Sequence, residues 1–149
     1  MPSGKPFVSP SLSYATLEET LDVKAKSEIL SIGIPKEDSF IENRIALTPE
    51  GVAVLVANGH DVSVQTNAGE GTQFSDRDYS EAGAKIVQTK KQVFESDIIV
   101  KSAPVSEDDC DFLKPNQLVI SPIHLAAMKK KILERMCEKR ITALSFENL

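Results

Sequence analysis

Short apolar runs alternate along the chain with segments in which apolar residues recur every three or four positions. The runs have the length and β-branched content of strands, whereas the spacing between them is typical of amphipathic helices. Ile98-Ile99-Val100 is unbroken, as in parallel strands that are covered on both faces. This strand–helix alternation predicts an α/β fold with a doubly wound, flavodoxin-like parallel sheet. The predicted strands are 29–34, 61–65, 84–87, 97–101, 117–121 and 141–146.

Capping signals mark where helices begin between the predicted strands. Thr48 is a good cap and Pro49 a good first helical residue, and Ser75 with Asp78 forms a capping-box pattern. Residues 1–28 show only a tail and a short amphipathic helix near 16–26, so the domain is predicted to occupy 29–149. The predicted helices run from Pro49 to near Gly59, from Ser75 to near Gly83, and over 90–95, 107–113 and 125–139.

Composition narrows the class of protein. The 149 residues are 41% hydrophobic and 26% charged, as in one ordinary globular domain. A net charge of −5 argues against a nucleic-acid partner, and no apolar run approaches the roughly 20 residues that cross a bilayer. Cys110 and Cys137 are too few for a disulfide framework or a metal cluster. We therefore expect a cytoplasmic protein with no metal site, no nucleic acid and no membrane partner.

Three side chains that can bind or protonate an anion follow three different predicted strands. Arg44 lies in the loop after the first strand, Lys101 closes the fourth and His124 follows the fifth. The carboxyl ends of parallel strands meet at one edge of the sheet, where open α/β folds bind ligands. Arg44 could hold a carboxylate, Lys101 could polarise a keto oxygen or bind a second carboxylate oxygen, and His124 could transfer a proton. This set suits a small 2-oxo acid.

The spacing alone leaves simpler explanations open for each of these residues. Arg44 could be a surface arginine paired with Glu42 or Asp38, because most charged side chains are simply solvated. Lys101 could extend its ammonium to solvent from a strand end, and His124 could be an ordinary loop histidine. Charge networks with a structural role can show the same pattern as a binding site.

The turn at 67–72 carries two glycines but does not match a dinucleotide fingerprint. Gly69 and Gly71 are present, whereas Phe74 stands where the third glycine of G-x-G-x-x-G belongs. Glu70 would also repel a phosphate. The segment predicts a tight turn, and no cofactor-binding residue is predicted in the chain.

Five motifs stand in order along the chain, at 33–37 (Gly-Ile-Pro-Lys-Glu), 42–49 (Glu-Asn-Arg-Ile-Ala-Leu-Thr-Pro), 68–71, 97–101 and 124–126. With them, about residues 29–149 resemble the amino-terminal domain shared by alanine dehydrogenase and the alpha subunit of nicotinamide nucleotide transhydrogenase. In alanine dehydrogenases of this kind, an arginine and a lysine hold pyruvate and a histidine is the proposed acid/base. The resemblance assigns these roles to Arg44, Lys101 and His124.

Two positions depart from the family pattern. The family usually continues the lysine strand toward a Glu-Pro pair, where this chain has Ser102-Ala103-Pro104. An aromatic residue often stands two positions before the histidine, where this chain has Pro122. Both departures adjoin the candidate site and bear on the choice of substrate.

The resemblance implies the substrate-binding portion of an NAD-dependent alanine dehydrogenase, which interconverts alanine with pyruvate and ammonia. NAD would be bound by a domain absent from this chain, so we expect the chain to be truncated before that domain and inactive alone. The family also implies a small-molecule substrate and a homo-oligomer. One alternative is the matching domain of a proton-translocating transhydrogenase, with Arg44 and Lys101 vestigial or structural. The other is a non-catalytic flavodoxin-like binding module.

Overall fold

The computed structural model describes residues 28–38 and 42–146, so the predicted tail and helix near 16–26 lie outside the described residues. The strands are β1 (Ser31–Ile34), β2 (Asp61–Gln65), β3 (Lys85–Val87), β4 (Ile98–Val100), β5 (Leu118–Ile120) and β6 (Thr142–Leu144). The α-helices are α1 (Pro49–Ala57), α2 (Asp76–Glu81), α3 (Lys90–Val93), α4 (Asp109–Phe112) and α5 (Lys130–Glu138). A short 3-10 turn covers Glu70–Thr72. All six predicted strands are present, several of them one or two residues shorter.

The six strands form one sheet, in the order β3-β2-β1-β4-β5-β6, and every pair is parallel. The predicted doubly wound parallel sheet is therefore confirmed. A flavodoxin-type order would place β1 between β2 and β3, whereas here β3 lies outside β2 and β1 pairs with β4. Hydrophobic periodicity locates strands but does not say which neighbours they pair with. The order reverses between β1 and β4, which makes that point the expected ligand crevice.

Helices cover both faces of the sheet, because adjacent residues of β4 enter different core clusters. Ile99 packs with Val119 and with residues of α3, α4 and α5, whereas Ile98 and Val100 pack against the cluster formed with α1 and α2. Successive side chains of a strand point to opposite faces, so both faces of β4 are buried. This explains the unbroken apolar run that predicted a parallel strand.

Two of the predicted helix starts are confirmed by their hydrogen bonds. The Thr48 hydroxyl accepts from the Gly51 amide at 3.4 Å, with Pro49 as the first helical residue. At α2, the Ser75 hydroxyl accepts from the Asp78 amide at 3.3 Å, and the Asp78 carboxylate accepts from the Ser75 amide at 2.7 Å. These caps fix the directions in which the chain leaves its loops.

The last helix begins later than the sequence predicts. Its apolar pattern extends over 125–139, but α5 starts at Lys130. The His124 carbonyl instead accepts from the amides of Ala127 at 2.8 Å and Met128 at 3.0 Å, which closes a separate turn before the helix. Within the helix, Ile132 and Met136 are buried, whereas Leu133 is 42% exposed. Among the described residues, no helix is long and apolar enough to span a membrane.

Candidate functional site

A cleft of about 550 Å³ lies at the carboxyl ends of β1, β4 and β5. Arg44, Lys101 and His124 all line it, together with Ser102, Pro122 and Phe146. The parallel sheet thus brings together three residues that are 23 to 80 positions apart in the sequence. The cleft adjoins the reversal of strand order between β1 and β4, where this fold class binds its ligands.

Arg44 is exposed and forms a two-pronged ion pair with Glu42. Its Nε lies 2.9 Å from Glu42 Oε1 and its Nη2 lies 2.7 Å from Glu42 Oε2, while its backbone amide donates to the same Oε1 at 2.9 Å. The hydrogen bonds from the Arg44 side chain and backbone lower the pKa of Glu42 to about 2. The pairing with Glu42 that the sequence left open is therefore present. It also shows that the guanidinium is oriented to bind a carboxylate with both prongs.

Lys101 is buried, with only 3% of its side chain exposed. Its ammonium lies 2.7 Å from Glu37 Oε2 and 3.1 Å from Asp109 Oδ2, and both carboxylates are themselves buried. The alternative in which Lys101 reaches toward solvent is wrong, because the ammonium is neutralised inside the protein. Burying an ammonium this deeply costs free energy unless it is paired and hydrogen-bonded, as it is here.

Glu37 and Asp109 extend this pair into a buried network that ties together the loops around the cleft. Glu37 Oε1 accepts from the backbone amides of Ser102 at 2.8 Å and Ala103 at 3.1 Å. Asp109 also lies 2.5 Å from the ammonium of Lys90. Two lysines and two carboxylates balance in charge, so the network fixes the residues after β4 without leaving a net charge in the interior.

The ionisation of Asp109 reflects the same balance. Burial opposes the charged form, but the nearby Lys101 and Lys90 and the hydrogen bond from the Ser106 amide outweigh it. The pKa of Asp109 is therefore lowered below its ordinary value. The carboxylate stays ionised at neutral pH, as a partner of two ammonium groups must.

His124 is exposed at the cleft and has a backbone φ of 40°, in the left-handed region that few residues other than glycine adopt. Its carbonyl anchors the turn that separates β5 from α5. Non-glycine residues held in this region are often found at functional sites. The turn places the imidazole at the same sheet edge as Arg44.

The sequence did not single out Glu37 and Asp109, the buried partners of Lys101. Glu37 ends the 33–37 motif, but nothing in its spacing indicates a contact with a lysine 64 positions away. Asp109 had a local signal, because it bonds reciprocally with Ser106 in the same Ser-x-x-Asp pattern that marks Ser75 and Asp78. Its exposed neighbour Asp108 shows that the run of acids at 107–109 does not by itself reveal which one is buried.

Gly69 and Gly71 of the turn at 67–72 pack closely against neighbouring parts of the chain. A Cβ at Gly69 would lie 2.6 Å from the Phe74 carbonyl oxygen, and one at Gly71 would clash with the Asn43 backbone. Glu70 lies 3.4 Å from the ammonium of Lys36. The tight turn predicted here is confirmed, and this turn does not fit a dinucleotide cradle of the glycine-rich type.

Comparison with known proteins identifies the family. The family model "Alanine dehydrogenase/PNT, N-terminal domain" matches residues 33–149. The chain belongs to this family. It is 38% identical over 120 residues to an alanine dehydrogenase of Staphylococcus epidermidis, covering 80% of this chain and 32% of that protein. The chain thus spans about a third of the length of the curated relatives it matches.

Solved structures support the same family. An L-alanine dehydrogenase superposes with a TM-score of 0.76 at 35% identity, covering 79% of this chain and 32% of the other. A transhydrogenase from Sinorhizobium meliloti superposes with a TM-score of 0.72 at 26% identity, covering 78% and 35% of the two chains. The fold of this chain is therefore similar to that of both enzyme types that its sequence resembles.

Proposed function

We propose that this chain is the substrate-binding portion of an NAD-dependent alanine dehydrogenase, with residues 29–149 forming the domain. The observation that carries the proposal is the cleft lined by Arg44, Lys101 and His124 from three separate loops. The identity to proteins named alanine dehydrogenase supports it. The whole protein would interconvert alanine with pyruvate and ammonia, as a homo-oligomer in the cytoplasm.

Binding of the 2-oxo acid would begin with an exchange of carboxylates at Arg44. The substrate carboxylate would replace Glu42 on the exposed guanidinium and keep its two-pronged geometry. Lys101 is the proposed second cation. Because Glu37 and Asp109 already neutralise it, Lys101 would reach a substrate oxygen only by exchanging Glu37, which makes Arg44 the stronger anion-binding residue.

His124 is the proposed proton-transfer residue. The exposed imidazole at the cleft can give or take a proton as the substrate oxygen changes between carbonyl and carbinol. NAD would supply the hydride acceptor. The turn at 67–72 does not fit the dinucleotide cradle of the glycine-rich type. We therefore propose that NAD is bound by a part of the whole protein outside residues 29–149.

A transhydrogenase domain is the second candidate, and the ion pairs of the site favour it specifically. Arg44 is held by Glu42, and Lys101 is held by Glu37 and Asp109, as expected if both cations have structural roles. The structural match to the Sinorhizobium meliloti transhydrogenase supports the same reading. Under this candidate the cleft would bind no 2-oxo acid.

An assay of the whole gene product that carries this chain separates the two candidates. An alanine dehydrogenase should oxidise NADH only when pyruvate and ammonia are both present, and His124→Asn should lower kcat about 100-fold or more because proton transfer is lost. Hydride transfer between NADH and an NADP analogue, with no response to pyruvate, would instead establish the transhydrogenase.

Glu42→Gln should strengthen pyruvate binding to this chain about fivefold, because it removes the charge that competes for the exposed guanidinium of Arg44. The pKa of Glu42 is about 2, so the competitor is ionised throughout ordinary buffers. The gain should therefore be the same from pH 5 to pH 8, measured by isothermal titration calorimetry. Glu81→Gln, which breaks the exposed Arg77–Glu81 pair, is the matched control and should change nothing. Weaker binding by Glu42→Gln would contradict the exchange at Arg44.

A further inference from the structure

Ser102 has a buried hydroxyl that finds no hydrogen-bond partner among residues 28–38 and 42–146. Most buried polar side-chain atoms in native proteins are hydrogen-bonded, so an exception calls for an explanation. Ser121, after the neighbouring strand β5, has a buried hydroxyl in the same condition. The two serines differ in position: Ser102 lines the cleft with Arg44 and His124, and Ser121 is not among its lining residues.

The backbone of Ser102 is held firmly, although its hydroxyl is not. Its amide donates to Glu37 at 2.8 Å, and the preceding amide, of Lys101, donates to the Ile120 carbonyl at 2.9 Å. The residue as a whole is partly exposed even though its oxygen is buried. The χ1 angle of serine has three staggered rotamers, so a change of rotamer would move the hydroxyl without moving the backbone. A fixed backbone with an unsatisfied, rotatable donor is suited to bind an oxygen that arrives with a ligand.

We propose that Ser102 is a further substrate-binding residue, whose hydroxyl donates a hydrogen bond to a carboxylate or keto oxygen of a 2-oxo acid in the cleft. The inference rests on the proposed function, since it places the acid in that cleft. Arg44 would supply charge and two-pronged geometry, and Ser102, which follows Lys101 in the chain, would supply a neutral donor. The residue stands where the family pattern departs after the lysine strand, so it also bears on which acid is accepted.

Calorimetric titration of the chain with pyruvate tests this, using wild type, Ser102→Ala, Ser102→Thr and Ser121→Ala. Loss of a hydrogen bond to a charged ligand should weaken binding by Ser102→Ala about tenfold, and Ser102→Thr should restore most of it because a hydroxyl returns. Ser121→Ala should bind as wild type does. Thermal melts of the free proteins should show neither alanine variant less stable than wild type, since each replaces a hydroxyl that has no partner in the described part of the chain.

The outcomes distinguish a binding role from a packing role. Weaker binding with unchanged or raised Tm, confined to Ser102→Ala, supports the inference. Equal affinity of Ser102→Ala and wild type overturns it while leaving the proposed function in place, and so does equal weakening by both alanine variants. Saturable binding by none of the four proteins overturns the proposed function and the inference with it.

Discussion

Arg44→Ala is expected to abolish measurable pyruvate binding while leaving the fold intact. The substitution removes the only exposed cation of the three proposed site residues, together with its two-pronged geometry. Loss of a charged, doubly hydrogen-bonded partner weakens binding by a factor on the order of 100 or more. Because the Arg44 side chain is 80% exposed, its removal should shift the Tm little. Calorimetry with pyruvate and a thermal melt of the same sample measure both quantities.

Two further variants make this result specific to geometry and position. Arg44→Lys keeps the charge but loses the planar fork, so its affinity should lie between those of wild type and Arg44→Ala. Arg77→Ala removes an arginine that is similarly exposed, at 84%, and is paired with a glutamate through one nitrogen, but lies away from the cleft. It should bind pyruvate as wild type does. Unchanged affinity in Arg44→Ala would show that the cleft does not bind the acid through this residue.

Lys101→Met is expected to destabilise the chain by about 3–5 kcal/mol at pH 7, because it leaves two buried carboxylates without their shared cation. Urea unfolding followed by circular dichroism measures the loss. Lys130→Met, which removes an 88% exposed lysine paired with Glu134, should change stability by no more than about 0.5 kcal/mol. A wild-type unfolding curve for Lys101→Met would contradict the account of the buried network.

The loss of stability caused by Lys101→Met should depend on pH. In the wild type the pKa of Asp109 is lowered, so its contribution is present above the ordinary carboxyl value and is lost as the pH falls through the lowered one. Without Lys101, less positive charge offsets the burial of Asp109, so the pKa of this carboxyl rises. The folded state then increasingly favours the protonated acid. The difference in free energy of unfolding between wild type and Lys101→Met should therefore be largest at neutral pH and become smaller in acid. Because Lys101→Met is expected to destabilise the fold, loss of pyruvate binding in a Lys101 variant cannot be attributed to loss of a direct contact with the ligand.

The sequence located the parts of the fold whose signals are local. β2 is Asp61–Gln65 as predicted, and Thr48 and the Ser75–Asp78 pair cap their helices. The start of α5 was misplaced because its apolar pattern continues through a turn that is set by the left-handed conformation of His124. Strand order was not predictable in the same way, since pairing depends on how the crossovers pack and not on periodicity.

The site could be predicted as a set of residues but not as a set of interactions. Strand ends place Arg44, Lys101 and His124 at one edge, and all three line the cleft. That Lys101 turns inward to Glu37 and Asp109 depends on contacts between loops far apart in the sequence. That the Ser102 hydroxyl finds no partner within 28–38 and 42–146 is likewise visible only once the surrounding backbone is placed.

The most direct test of the account is an NMR titration of the isotopically labelled chain with pyruvate. If the cleft is the binding site for a 2-oxo acid, the backbone amides of Arg44, Ser102 and His124 should shift together along one saturable curve. Amides of Arg77 and Glu81 in α2 should stay in place, because neither residue lines the cleft. Shifts that never saturate, or that gather away from these three residues, would contradict the assignment of this cleft as the substrate site.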